Sequence, residues 1–424
     1  MKMSTLPLSG DKAVVPPSTA ELLARLPPLP DLKRPLLRPD EVAKSIASGD
    51  DAYLEEMISG RFMDFMLREL LDHLPDVVQR ITSLGPAGLV LQARPSNTIN
   101  ALAVPTRDGA VIVYNLGFYG AMYSFSRAVA LTLEQHNAMQ AMEWLSSVVD
   151  WATSRAKEPR IQQPLELGEE SASLAANLSA QAQRFAMCHE LGHVMTFRRA
   201  ETAVRAATLA GVTVSALPDT WEKEYAADRD GLAMFLRVLA SQGKSAAAAL
   251  IGAEVFLNAA GMMHESSAEE EQAHPPPDDR LARVRNQFLQ ACGERGYELA
   301  GPSLAVRHIL EALRGFVTQE VRRRRAETTR RLSEVFEAYT ASVTQRSKDD
   351  MRAAAKHVSR FLLASPGATL DFLYERIFAP KVSDEPDGGS PARLLAINAA
   401  LHFEKPLQEA IEIPRLQLHF EGQP

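Results

Sequence analysis

The sequence predicts an α+β fold, predominantly helical, in which a small sheet lies beside a long helix. Three short runs before residue 115 are apolar and bounded by Gly, Pro, Asn or Asp, as strands are. From Ser124 onward nearly every segment repeats its apolar residues at helical spacing. No proline interrupts the run from Ser179 to Met195, where Phe185, Cys188 and Leu191 recur along one stripe.

Residues 1–40 are expected to form an arm, extended and partly disordered or wrapped on the surface. Its prolines (Pro16, Pro17, Pro27, Pro28 and others) stiffen the chain and interrupt helix. A core is expected over residues 41–290. It opens with helical sequence from Pro39 to Leu84, carrying Met57, Phe62, Phe65, Met66, Leu70 and Leu71. Strands follow at Gly88–Ala93, Ala101–Val104 and Ala110–Tyr114, with the pair Asp108-Gly109 as the hairpin turn between the last two. A helical insertion is expected at about residues 124–175. The stretch Ala246 to Met263 is apolar, but Glu254 and Asn258 interrupt it, so it reads as a buried helix and not a membrane span.

Beyond the core, residues 300–380 read as a helical extension, in pieces at Pro302–Val317, Glu320–Val343 and Ser347–Leu363. Residues 383–391 read as a linker and 392–424 as a tail. Within the tail, Ile411 to Phe420 alternates like a strand broken by Pro414.

Composition narrows the possible functions. At 46% hydrophobic and 23% charged, the chain is globular in character. A net charge of −7 argues against nucleic acid as a partner. The run Arg322-Arg323-Arg324-Arg325 is a local exception. On a helix its side chains point to all sides, as on a solvated surface. Cys188 and Cys292 are the only cysteines, so no disulfide framework is implied. No signal-peptide core or transmembrane segment is evident, and the expected location is the cytoplasm.

The chemistry begins with His189-Glu190-Leu191-Gly192-His193. Histidines four residues apart lie one above the other on a helix and can reach one metal ion. Glu190, next to the first, is placed to take a proton from a water at that ion. A catalytic zinc takes three protein ligands and leaves a position for water, so a third ligand must come from elsewhere. Glu224 and Asp228 stand at i, i+4 on a second acidic helix. Glu224 can supply the third ligand, and Asp228 can orient a ligand histidine through its other ring nitrogen. Small Ala226 and Ala227 between them allow close packing. Further on, the prolines of His274-Pro275-Pro276-Pro277 hold His274 outside regular helix, and Arg280 opens the next helix through Leu281, Val284 and Phe288.

These segments together resemble the gluzincin metallopeptidases, with most likeness to the CAAX prenyl protease and HtpX-type family. That family's pattern is H-E-x-x-H, then E-x-x-x-D, then H-P-x-x-x-x-R. It is met here by His189–His193, Glu224–Asp228 and His274–Arg280. A further likeness is the pair of strands Ile99–Pro105 and Gly109–Gly117, which in the family form a hairpin beside the cleft. The resemblance implies a zincin-like core and one zinc per chain held by His189, His193 and Glu224. It implies peptide-bond hydrolysis with Glu190 as general base and a protein or peptide substrate added to the hairpin edge. It also makes His274 the candidate donor to the developing oxyanion, with Arg280 bracing the loop or the site. Many members of the family are membrane proteins, whereas this chain is expected to be soluble. Two other readings stay open from sequence alone: a helical interaction scaffold with a structural or vestigial zinc, and a stress- or phage-type protease that cleaves a regulator.

Overall fold

The structure is a computed structural model, which describes residues 16–25, 61–94, 101–133, 138–153, 167–196, 205–209, 212–216, 221–266 and 275–345. His274, most of the proline-rich arm, the 383–391 linker and the 392–424 tail lie outside these residues. The chain divides into two compact units. One comprises Met1–Ser126, Leu167–Asn258 and Glu271–Leu310, and the other Arg127–Glu166, Ala259–Glu270 and Glu311–Pro424.

The first unit contains the sheet. Strands β1 (Gly88–Arg94), β2 (Ala101–Thr106) and β3 (Gly109–Asn115) take the order β1-β3-β2, with β1 parallel and β2 antiparallel to β3. The expected hairpin between β2 and β3 is present, but its turn residues are Arg107 and Asp108, while Gly109 already pairs with Thr106. Gly109 is needed in the strand for another reason. A Cβ there would stand 2.3 Å from the carbonyl oxygen of Gly88 on β1.

Before the sheet lie α1 (Thr19–Ala24), α2 (Arg61–Leu71) and α3 (Pro75–Leu84). The helical sequence expected up to Leu84 is helical over its described part, residues 61–84, and parts into α2 and α3 where Pro75, at N1 of α3, cannot donate a backbone bond to the preceding turn; the part from Pro39 to residue 60 lies outside the described residues. The short α1 also departs from an extended arm. Ser18 and Glu21 form a capping box. Thr19 donates to Asp108 Oδ1 through its backbone N–H at 2.7 Å and its hydroxyl at 2.9 Å, which fixes the helix on the hairpin turn. Leu22 is then fully buried with Val104, Val111 and Val113, and this contact outweighs the extended preference of the flanking prolines.

After β3 come α4 (Leu116–Leu133), α5 (Ala138–Ala152) and α6 (Glu169–Thr196), the last opening on Glu169 and Glu170 at its positive end. Next is a β4–β5 hairpin (Arg205–Leu209, Val212–Ala216), where nearly continuous helix was expected. The alternating, β-branched run Val212-Thr213-Val214-Ser215, preceded by Gly211, is the signal for it. Helices α7 (Trp221–Ser241), α8 (Ala247–Ser266), α9 (Pro277–Cys292) and α10 (Gly296–Gln345) follow. α6 packs along α7 and against β2. α8 is the one described helix long and apolar enough to cross a membrane, and its apolar window is 78% buried inside the protein. Its polar Glu254, 2% exposed, is paired by Arg285 of α9. The pieces expected at Pro302–Val317 and Glu320–Val343 belong to one helix, α10, which Thr318 and Gln319 do not interrupt and which contains Pro302, while the piece expected at Ser347–Leu363 lies outside the described residues.

In the second unit the arginine run is largely engaged. Arg325 Nε donates to Asp150 at 2.8 Å, and its terminal nitrogens donate to Thr153 and to the Ser266 carbonyl at the end of α8. Arg322 donates to the Glu265 carbonyl and Arg324 to Ser147, while Arg323 pairs with Glu320 on the exposed side. Three of these four guanidiniums therefore serve helix packing and helix ends instead of a free basic surface.

Candidate metal centre

Two helices build the site, both in the first unit. α6 is buried over the turns that carry His189 and Glu190, so the motif sits within the core instead of on a surface stripe. α7 crosses it at very short range. A Cβ on Gly192 would stand 2.9 Å from the Cα and carbonyl oxygen of Ala227, and one on Gly231 would stand 2.9 Å from the His189 nitrogen. Ala227 thus does what its small size suggests, but the approach depends equally on two glycines. Gly231 follows Glu224 and Asp228 at i+7 and i+3, on the same helical face, so its role could have been read from that spacing.

This approach brings His189, His193 and Glu224 together, with one ligand atom from each lying within 4.8 Å of the others. The two Nε2 atoms are 3.1 Å apart. Glu224 Oε1 is 3.3 Å from His193 Nε2, and Glu224 Oε2 is 3.7 Å from His189 Nε2. Ligands of a tetrahedral zinc with bonds of about 2.1 Å stand about 3.4 Å apart, so these separations suit one zinc ion.

The hydrogen bonds around the cluster support the same reading. Asp228 Oδ1 is 2.9 Å from His189 Nδ1. An ionised Asp228 accepts the Nδ1–H, which leaves the His189 Nε2 lone pair facing His193 and Glu224. Arg280 reaches in from α9 with Nε 2.8 Å from Asp228 Oδ2 and Nη2 2.7 Å from Oδ1, and with Nη2 3.3 Å from Glu224 Oε2. Burial alone would raise the Asp228 carboxyl, but the Arg280 charge and hydrogen bonds, aided by His189, hold it at about 2. This stabilisation is complete above the ordinary value of 3.8 and is lost as pH falls through about 2, so Asp228 stays ionised through the neutral range.

Glu190, Glu224 and Asp228 are 6%, 2% and 2% exposed, and Arg280 at 6% is the buried cation that pairs with this group. Three buried carboxyl groups gathered around the two imidazoles give the site the acidic oxygen and nitrogen donors that a dication takes. Burial raises the neighbouring Cys188 thiol far above its usual range, so it stays protonated and offers no thiolate ligand. Phe256 of α8 packs against the His189 ring at 5.7 Å and against Phe185 at 5.5 Å, forming an apolar wall that the sequence reading did not single out.

With a zinc ion at this cluster, Asp228→Asn is expected to weaken its binding about 10–100-fold, because an amide accepts the Nδ1–H less strongly and leaves Arg280 half paired. Competition with a chelator of known affinity measures the effect. An unchanged zinc affinity would remove Asp228 from the orienting role.

No curated protein and no solved structure matches this chain. Residues 128–300, the stretch that carries His189, Glu190, His193, Glu224, Asp228, His274 and Arg280, match the family model described as Peptidase U49, and the chain is thereby similar to a family of peptidases.

Proposed function

We propose that the protein is a zinc-dependent endopeptidase of the gluzincin type, acting on a protein or peptide substrate in the cytoplasm. The observation that carries this reading is the convergence of two imidazole nitrogens and one carboxylate within 4.8 Å, next to the buried Glu190. His189, His193 and Glu224 would hold the ion. Zinc, when bound, supplies Lewis acidity to the scissile carbonyl and brings the pKa of a water toward about 7.

The remaining steps belong to the chain's own groups. Glu190 takes the proton of the attacking water and returns it to the departing amine nitrogen. Asp228 fixes the His189 ring, and Arg280 holds Asp228 and Glu224 in register, so Arg280 acts as a brace behind the site. His274, by its place in the H-P-x-x-x-x-R pattern, is the candidate donor to the developing oxyanion. β2 is an outer strand of its sheet and packs against α6, so an extended peptide adding to its edge would lie along that helix.

Metal removal tests the reading. Purified protein should contain about one zinc per chain and cleave members of a peptide library. Chelation should abolish cleavage, and stoichiometric zinc should restore it. Cleavage that persists in chelated, zinc-free protein would overturn the proposal.

A further inference from the structure

The alternation of β3 sorts its side chains between two environments. Val111 and Val113 pack with Leu22 and Val104 on one face of the sheet. Successive strand residues point to opposite faces, so Ala110, Ile112 and Tyr114 face the other way. Tyr114 is 2% exposed. Its ring meets Phe118 edge-on with centroids 5.4 Å apart, Phe118 meets Phe256 at 5.7 Å, and Phe256 meets the His189 ring at 5.7 Å. A continuous run of rings therefore joins the end of β3 to the helical turn that carries Glu190.

The Tyr114 hydroxyl is buried and has no hydrogen-bond partner among the described residues. An unmet buried hydroxyl is destabilising, and phenylalanine would fill the same space without that penalty. The tyrosine therefore calls for an acceptor. Burial is the main influence that pushes the phenol up, and the charge of Glu190 is the next, ahead of Tyr119. The group thus stays a protonated donor within the field of that carboxylate. Glu190, 6% exposed, is in turn a buried carboxylate that gains from every donor it finds.

We propose that Tyr114 is a positioning residue for Glu190: its hydroxyl donates a hydrogen bond to one enclosed water that in turn donates to the Glu190 carboxylate. The bond fixes the rotamer from which Glu190 meets the attacking water. The hydrogen bond itself does not depend on the peptidase reading, but its catalytic consequence rests on it.

The test is a double-mutant cycle in the full-length protein, read by thermal melting and by peptide cleavage. Glu190→Met keeps the side-chain volume and removes the acceptor. Tyr114→Phe should lower the melting temperature by roughly 2–4 °C in the parent and by nothing, or in the opposite direction, in the Glu190→Met background. Should Glu190→Met fail to fold, Glu190→Gln replaces it, and the expected difference between backgrounds becomes smaller but keeps its sign. Equal shifts in both backgrounds would overturn the contact whatever the enzyme does. In the cleavage assay Tyr114→Phe should lower kcat about tenfold with KM and zinc content unchanged. An unchanged kcat in an active enzyme would overturn the positioning role. Coupled melting shifts in a protein that cleaves no peptide would instead count against the peptidase reading and leave the contact standing.

Discussion

Glu190→Gln should abolish peptide hydrolysis while leaving zinc in place. The side chain is 6% exposed, and the amide occupies the same volume, so packing around it is preserved. The clustered ligand atoms come from His189, His193 and Glu224, and the substitution touches none of them. What disappears is the ability to accept a proton near neutral pH. General-base catalysis contributes typically 10²–10⁴-fold, so kcat should fall at least about a hundredfold. That corresponds to about 3 kcal/mol or more of lost transition-state stabilisation. The three clustered donors are unchanged, so the variant should still saturate at stoichiometric metal. Elemental analysis and turnover on a cleaved peptide, measured on the same preparation, give the result. Undiminished turnover in the Glu190→Gln variant would refute the base assignment.

Much of the site was legible because its chemistry is written in local spacing. His189 and His193 at i, i+4, and Glu224 and Asp228 at i, i+4, each need only one helix to lie on one face. The α+β character was legible too, since the β2–β3 pair has short apolar runs joined by a two-residue turn. Features that depend on tertiary contact were not legible. Leu22 reads as part of a proline-rich arm, and only the sheet face it covers makes it core. The arginine run reads as a solvated helix, and only the ends of α5 and α8 give Arg325 and Arg322 their partners. Tyr114 reads as one more apolar-strand residue, and its isolated hydroxyl appears only once the strand is buried. The β4–β5 hairpin was legible in principle, since Val212 and Val214 alternate with Thr213 and Ser215. The helical periodicity on both sides masked it.

Gly231→Leu should empty the site of zinc as thoroughly as His189→Ala, although Gly231 carries no ligand atom. The Cβ added at this position would fall 2.9 Å from the His189 nitrogen and 3.0 Å from its Cα, with Cys188 C at 3.1 Å. All three are backbone atoms of a buried helix, and none can rotate away. α7 must therefore move outward, carrying Glu224 and Asp228 with it. Donor separations of 3.1 to 3.7 Å leave little room for such a move, because a displacement of about 1 Å takes the Glu224 carboxylate out of bonding range. The same move loosens the Asp228 bond that orients His189. Overpacking of this kind costs about 1–3 kcal/mol of stability, whereas loss of one of three ligands removes most of the metal affinity. The protein should thus stay folded by circular dichroism, melt several degrees lower and bind zinc far below one equivalent. Gly231→Ala should fall between the parent and Gly231→Leu. Gly315→Ala serves as the control: its Cβ meets nothing within 4 Å, so zinc content should hold and stability should rise by about 0.5–1 kcal/mol. Full zinc occupancy in Gly231→Leu would mean that the two helices can part without disturbing the metal, and the close approach would then carry no functional weight.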